Sequence, residues 1–146
     1  MNNKIVIHTD ASNILNLNTC RIASIVEFNG ITIKTFGYCL GKINQAEMIA
    51  VLKTLRRVEK DYQPVDCVIE VYTDHYANVD FLKSIISAKN QKSVEENDKV
   101  KSTLIRKELT WWDIEVIFRL VSNNDLCVNW IPRRENRNAD RLTKRM

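Results

Sequence analysis

Hydrophobic and polar positions alternate along this chain in two periods, and the changes of period mark its elements. Residues 4–10 (Lys-Ile-Val-Ile-His-Thr-Asp) are short and β-branched, which predicts a buried central strand ending on Asp10. Residues 20–28 and 31–40 are two further strand-like runs joined by Asn29-Gly30, the dipeptide of a two-residue type I′ turn. That turn sets Cys20 opposite Cys39 in a hydrogen-bonded pair, where Cα atoms lie roughly 5.5 Å apart, so a disulfide between them would be strained. From Asn44 to about Lys60 the apolar positions Met48, Val51, Leu52, Leu55 and Val58 keep i, i+3, i+4 spacing and predict an amphipathic helix, with Pro64 marking its exit.

A fourth strand is predicted over 65–73, ending at Asp74, and a helix after it from Val79, Leu82 and Ile86. Residues 88–108 are polar, lysine-rich and weakly periodic, which suits an exposed loop or short helix projecting from the domain. A helix with Trp112, Val116 and Leu120 on one stripe follows, then a fifth strand over 126–131 stopped by Pro132. Asn136 is placed to N-cap a final short helix carrying Asp140. The order strand, hairpin, helix, strand, helix, strand, helix reads as one α/β domain over residues 1–146.

Composition adds limits rather than a function. The chain is 45% hydrophobic and 27% charged, ordinary globular usage. The first residues lack the apolar run of a signal peptide, and no stretch of 18 apolar residues occurs, so a soluble cytoplasmic protein with no membrane partner is expected. Cys20, Cys39, Cys67 and Cys127 lie far apart, without zinc-ligand or redox spacing.

The net charge of +4 is modest, but the cations are clustered. Residues 133–145 hold Arg133, Arg134, Arg137, Arg141, Lys144 and Arg145 against Glu135 and Asp140, and residues 83–107 hold seven Lys or Arg against three acids. Each cluster suits either a phosphate-binding surface or a solvated face.

Candidate chemistry lies in four acids at element ends: Asp10, Glu47, Asp74 and Asp140. Helix-dipole placement would account for Glu47 and Asp140 without a metal. Asp10 resists such an account, since ending a buried strand on a carboxylate is costly unless something cationic pairs with it.

The residues flanking these acids resemble a known family. Ile7-His8-Thr9-Asp10-Ala11-Ser12 is similar to the opening strand of type 1 ribonuclease H, Asn44-Gln45-Ala46-Glu47 to its helix start, and Tyr72-Thr73-Asp74 to its third carboxylate. The segment from Trp130 to Leu142, with Pro132-Arg133, Asn136 and Ala139-Asp140, resembles the last motif, in the form of the reverse-transcriptase-like branch of that superfamily. The resemblance spans residues 4–142 in order. It implies a five-stranded mixed sheet, three antiparallel strands then two parallel ones, with helices on both faces. It also implies an endoribonuclease that cuts the RNA strand of RNA/DNA hybrids with two Mg²⁺ ions, or Mn²⁺ in their place. Asp10 would bridge both ions, with Glu47 and Asp74 on one and Asp140 on the other. Hard cations of this kind take oxygen ligands. Ala11, Ser12, Asn44, Gln45, Arg133 and Asn136 match positions that touch nucleic acid, and the amides of Asn44 and Gln45 are candidates for reading the 2′-OH. The lysines of 83–107, with Trp111 or Trp112, resemble a basic protrusion that grips the DNA strand in some members.

The chain also departs from the family. Ala11 replaces a glycine, placing a methyl group where the backbone normally approaches nucleic acid, so slower cleavage or weaker binding is expected. Arg133 falls nearest the position of the family's loop histidine, and neither His8 nor His75 maps onto it. The last helix ends six residues after Asp140, so a partner or a second copy could cover the sheet face beside it. Two other functions stay open: a nuclease of the same fold acting on other nucleic acids, and a weakly catalytic nucleic-acid-binding module.

Overall fold

In a computed structural model, which describes residues 3–14, 18–88 and 91–144 (backbone only for Gln91 and Lys144), the β-branched N-terminal run forms the middle strand of a sheet. This strand, β1 (Asn3–Asn13), pairs antiparallel with β2 (Thr19–Phe28) on one side and parallel with β4 (Cys67–Thr73) on the other. Ile5, Ile7 and Thr9 are fully buried, as its central place demands. It does not end at Asp10: Ala11, Ser12 and Asn13 stay paired with Ile22, Arg21 and Cys20, so the carboxylate stands within a strand.

β2 and β3 (Ile31–Leu40) form the expected hairpin. Asn29 at φ 52° and Gly30 at φ 77° make the type I′ turn, and the register runs from Phe28 opposite Ile31 to Cys20 opposite Cys39. Both thiols are free. The first helix, α1 (Ile43–Tyr62), closes on Gln63, whose left-handed backbone (φ 44°) lets its N–H donate to the Glu59 carbonyl at 3.1 Å.

After β4 come α2 (Tyr76–Ala88), α3 (Gln91–Glu95), α4 (Asp98–Arg106), α5 (Trp111–Val121), β5 (Asp125–Trp130), a single 3₁₀ turn (Arg133–Glu135) and α6 (Arg137–Lys144). The sheet order is β3-β2-β1-β4-β5, with the β1–β4 and β4–β5 pairs parallel. The mixed five-stranded sheet is therefore as expected. Ile5, Ile7, Val26, Ile69 and Val71 pack under Met48, Val51 and Leu55 of α1 and Ile114 and Ile117 of α5. On the opposite side, α6 lies over β1 and β2, where His8, Ile25 and Glu27 line a hollow with Asn136–Ala139.

Two expectations fail here for packing reasons. The lysine-rich stretch does form short helices, but they do not project: α3 and α4 set Val94, Val100 and Leu104 into the main core. With so few apolar anchors the period is too weak to see in sequence, although Asn97 caps α4 by accepting from Lys99 N and Val100 N. Trp112 is not part of the buried stripe of α5, which consists of Ile114, Val116, Ile117 and Leu120. It is 64% exposed and lies under the Arg56 guanidinium, 4.0 Å from its centre. Arg145, Lys89 and the Lys144 side chain, counted among the basic clusters, lie outside the described residues. Among the described residues no helix is long and apolar enough to cross a membrane.

Candidate active site

Parallel pairing of β1 with β4 brings Asp10 and the residue after β4, Asp74, to the same end of the sheet. The start of α1, which packs across β1 and β2, adds Glu47 from above. One carboxylate oxygen from each of Asp10, Glu47 and Asp74 lies within 4.8 Å of the others. Asp10 and Glu47 are 3% and 5% exposed.

Placing these acids together has an electrostatic cost that the Ala11 backbone N–H and, for Glu47, the Arg133 charge offset only in part. Asp10 Oδ2, Glu47 Oε2 and Asp74 Oδ2 are buried and meet no hydrogen-bond donor among the described residues. Burial, then the charge of Asp74, pushes Asp10 up to about 7. Burial, then the charges of Asp10 and Asp74, pushes Glu47 up to about 9. Buried carboxylates ordinarily have donors or a cation. Three converging carboxylates, each with one buried, unpartnered oxygen, form an oxygen-only donor set that fits a hard divalent cation.

Glu47 is the fifth residue of α1, so no acid lies in that helix's first turn. The helix-dipole account of Glu47 therefore fails, because the dipole acts mainly within one turn. Asp140, in the first turn of α6, keeps that benefit. It stands beside the triad, acting on Asp10 both through charge and through a side-chain hydrogen bond. Its Oδ1 also forms an ion pair with Arg133 Nη2 at 3.2 Å.

The other expected site residues are placed unequally. Asn136 precedes α6 but does not cap it with its side chain. It is 1% exposed and donates from Nδ2 to the Thr9 carbonyl at 2.8 Å, tying α6 to β1 next to Asp10. Ala11 is 7% exposed, packed with Cys20, Ile22, Ala46 and Ala50. Ser12 is half-buried, Asn44 is exposed, and Arg133 keeps 69% of its side chain exposed despite its ion pair.

Four residues around Asn44 and Gln45 were not anticipated. His75 Nε2 lies 3.0 Å from Asn44 Oδ1, and its Nδ1 accepts from Asn78 N at 3.3 Å. Lys107 Nζ donates to Asn78 Oδ1 at 2.8 Å, and Glu108 Oε2 accepts from Gln45 Nε2 at 3.0 Å. Asn78, buried at 1% in the first turn of an apolar helix, was the one visible signal. The other three act across sequence separations of 29 to 63 residues.

Comparison with known proteins agrees with this geometry. A family model described as RNase H matches residues 2–146. Among solved structures, LC11-RNase H1 in complex with an RNA/DNA hybrid superposes with a TM-score of 0.67 at 20% identity, covering 97% of this chain and 94% of that one. LC11-RNase H1 isolated from compost by a metagenomic approach gives 0.69 at 23% identity, covering 99% and 95%. RNase H1 from the halophilic archaeon Halobacterium salinarum gives 0.63 at 18% identity, covering 97% and 95%. At these identities the superpositions establish the fold. No curated protein matches the sequence significantly.

Proposed function

The chain belongs to the RNase H family, and on that premise we propose that it is an endoribonuclease hydrolysing the RNA strand of RNA/DNA hybrids. The observation that carries this reading is the convergence of Asp10, Glu47 and Asp74 with three buried, unpartnered oxygens. A purely structural module gains nothing from that arrangement, since replacing a repelling buried acid by an apolar or amide side chain would stabilise it.

Asp10, Glu47 and Asp74 would hold one divalent ion, with Asp10 shared towards a second on the Asp140 side. Bound Mg²⁺, with Mn²⁺ able to substitute, supplies a nucleophilic water at neutral pH and neutralises charge at the leaving 3′ oxygen. The protein's own groups do the rest. In the metal-free state burial and the charges of neighbouring carboxylates, Asp74 on both acids, hold Asp10 and Glu47 towards their protonated forms. The Asn136 tie to Thr9 fixes the start of α6, and with it Asp140, against β1. Arg133, largely exposed at the rim, is suited to a scissile-strand phosphate. Asn44 and Gln45, at the start of the same helix as Glu47, would test the sugar for a 2′-OH.

The solved hybrid complex of LC11-RNase H1 supports the substrate class, through shared fold and family. Incubation of the purified chain with end-labelled RNA/DNA hybrid, duplex RNA and duplex DNA, with and without Mg²⁺ or Mn²⁺, tests the proposal. Metal-dependent cutting of the RNA strand of the hybrid alone is expected. Cleavage of a different duplex would indicate another nuclease of this fold, and hybrid binding without cleavage a binding module.

A further inference from the structure

Gln45 is held more tightly than a surface glutamine at a helix start requires. Its Oε1 accepts from the Lys42 backbone N–H at 3.2 Å. Its Nε2 donates to Glu108 Oε2 at 3.0 Å and to the Lys107 carbonyl at 3.4 Å. An amide nitrogen has two hydrogens, so both of its donors are engaged, while Oε1 keeps one lone pair. Gly41 makes room for this arrangement: a Cβ there would stand 2.7 Å from Gln45 Oε1, and its φ of 117° disfavours other residues.

Asn44 is oriented in the complementary sense. His75 Nδ1 accepts from a backbone N–H, so in the neutral ring Nε2 carries the hydrogen and donates to Asn44 Oδ1. That turns the Asn44 Nδ2 donors away from His75, and among the described residues they meet no acceptor. The adjacent pair therefore offers donors from Asn44 and an acceptor from Gln45. A 2′-hydroxyl both donates and accepts, and a deoxyribose offers neither at that position.

We infer that Glu108 is a positioning residue for sugar discrimination, acting through Gln45. Its carboxylate commits the Gln45 amide nitrogen and so leaves the oxygen as the group offered to the sugar. The segment that carries Glu108 is itself anchored. Lys107 Nζ donates to buried Asn78, whose Nδ2 returns to the Asn44 carbonyl at 3.5 Å, closing a loop from α1 through α2 to the α4–α5 junction. Glu108 sits at φ 56°, a left-handed backbone that a glutamate adopts only at some cost. Glycine would serve this turn better, so the carboxylate is retained against local backbone preference.

The inference rests on the proposed hybrid specificity, and its test separates the two. Glu108→Gly removes the carboxylate while suiting the backbone, so its melting temperature should equal or exceed that of the original chain. The ratio of hybrid to duplex-DNA affinity, measured in an Asp10→Asn background, should fall about 3- to 10-fold, the size of one ordinary net hydrogen bond. KM for hybrid should rise with kcat little changed. Glu108→Gln, which still presents an acceptor oxygen, should restore most of the ratio. In a Gln45→Ala background, Glu108→Gly should have no further effect. An unchanged affinity ratio, or an undiminished effect of Glu108→Gly without Gln45, overturns the inference. If the original chain cuts no hybrid, the proposed activity fails, while the affinity ratio still decides the role of Glu108.

Discussion

Arg133 and Asp140 form an ion pair 3.2 Å long at the edge of the carboxylate triad, seven residues apart across the turn into α6. Arg133 falls nearest in sequence to the histidine that the family resemblance implies, and its guanidinium is engaged with a carboxylate that the metal site would use. With 69% of the Arg133 side chain exposed, the pair contributes little to stability.

Arg133→Ala should therefore change melting by less than the equivalent of about 1 kcal/mol. Its effect should fall on substrate: KM for hybrid rises several-fold, and the slope of log affinity against log salt becomes shallower by about one. Titrating binding between low and physiological salt checks this. An unchanged slope would mean that Arg133 serves Asp140 and not a phosphate.

Asp10→Asn should abolish metal-dependent cleavage and at the same time stabilise the metal-free protein. The buried carboxylate at 3% exposure faces Asp74 and Asp140, and burial already drives it towards its neutral form. Removing that charge is worth on the order of 1–3 kcal/mol at pH 8. Urea denaturation in a chelator, with and without the substitution, measures it. A destabilised Asp10→Asn protein would contradict the electrostatic account of the triad.

Metal-free stability should decline with rising pH. Asp10 and Glu47 sit at about 7 and about 9 in the folded protein, above their ordinary values of 3.8 and 4.5. The folded state thus binds more protons than the unfolded one between these limits. Their contribution is present in full below about pH 4 and is lost as pH rises through about 7 and then about 9. Millimolar Mg²⁺ or Mn²⁺ should reverse the loss, raising the melting temperature more at pH 8 than at pH 5, because ligands must be deprotonated to bind. Calorimetry across that range would show it. A metal effect independent of pH would argue against these two ligands.

Ala11→Gly should not accelerate cleavage. The methyl group was expected to obstruct nucleic acid, yet Ala11 is 7% exposed and packs with Cys20, Ile22, Ala46 and Ala50. Losing a buried methyl and gaining strand flexibility should cost about 1–2 kcal/mol. Parallel measurement of denaturation and hybrid cleavage distinguishes the two roles. Faster turnover in the glycine variant would restore the obstruction account.

Several features of this protein were determined by sequence alone. Asn29-Gly30 dictated the hairpin and, through its geometry, the Cys20–Cys39 register. The 3.6-residue spacing of Met48, Val51, Leu55 and Val58 dictated α1, and all four are buried. The order of elements and the motifs around the four acids were enough to imply the sheet and to nominate the site. These are local signals, set by turn chemistry and by periodicities within one element.

Only the tertiary structure decided what each nominated side chain meets. Pairing of Ala11–Asn13 with β2 put Asp10 inside β1, the start of α1 at Ile43 left Glu47 beyond that helix's first turn, and the docking of α1 set it against Asp10. Asn136 looked like a cap and became a buried tie to Thr9, while Trp112 looked like core and became a surface ring beneath Arg56. Val94, Val100 and Leu104 drew a seemingly solvated segment onto the core, bringing Lys107 and Glu108 to Asn78 and Gln45. Hydrogen bonds and charge repulsion act over a few ångströms of space. A contact between residues 63 positions apart, such as Gln45 with Glu108, leaves no periodic or local trace in the chain and exists only once the elements are packed.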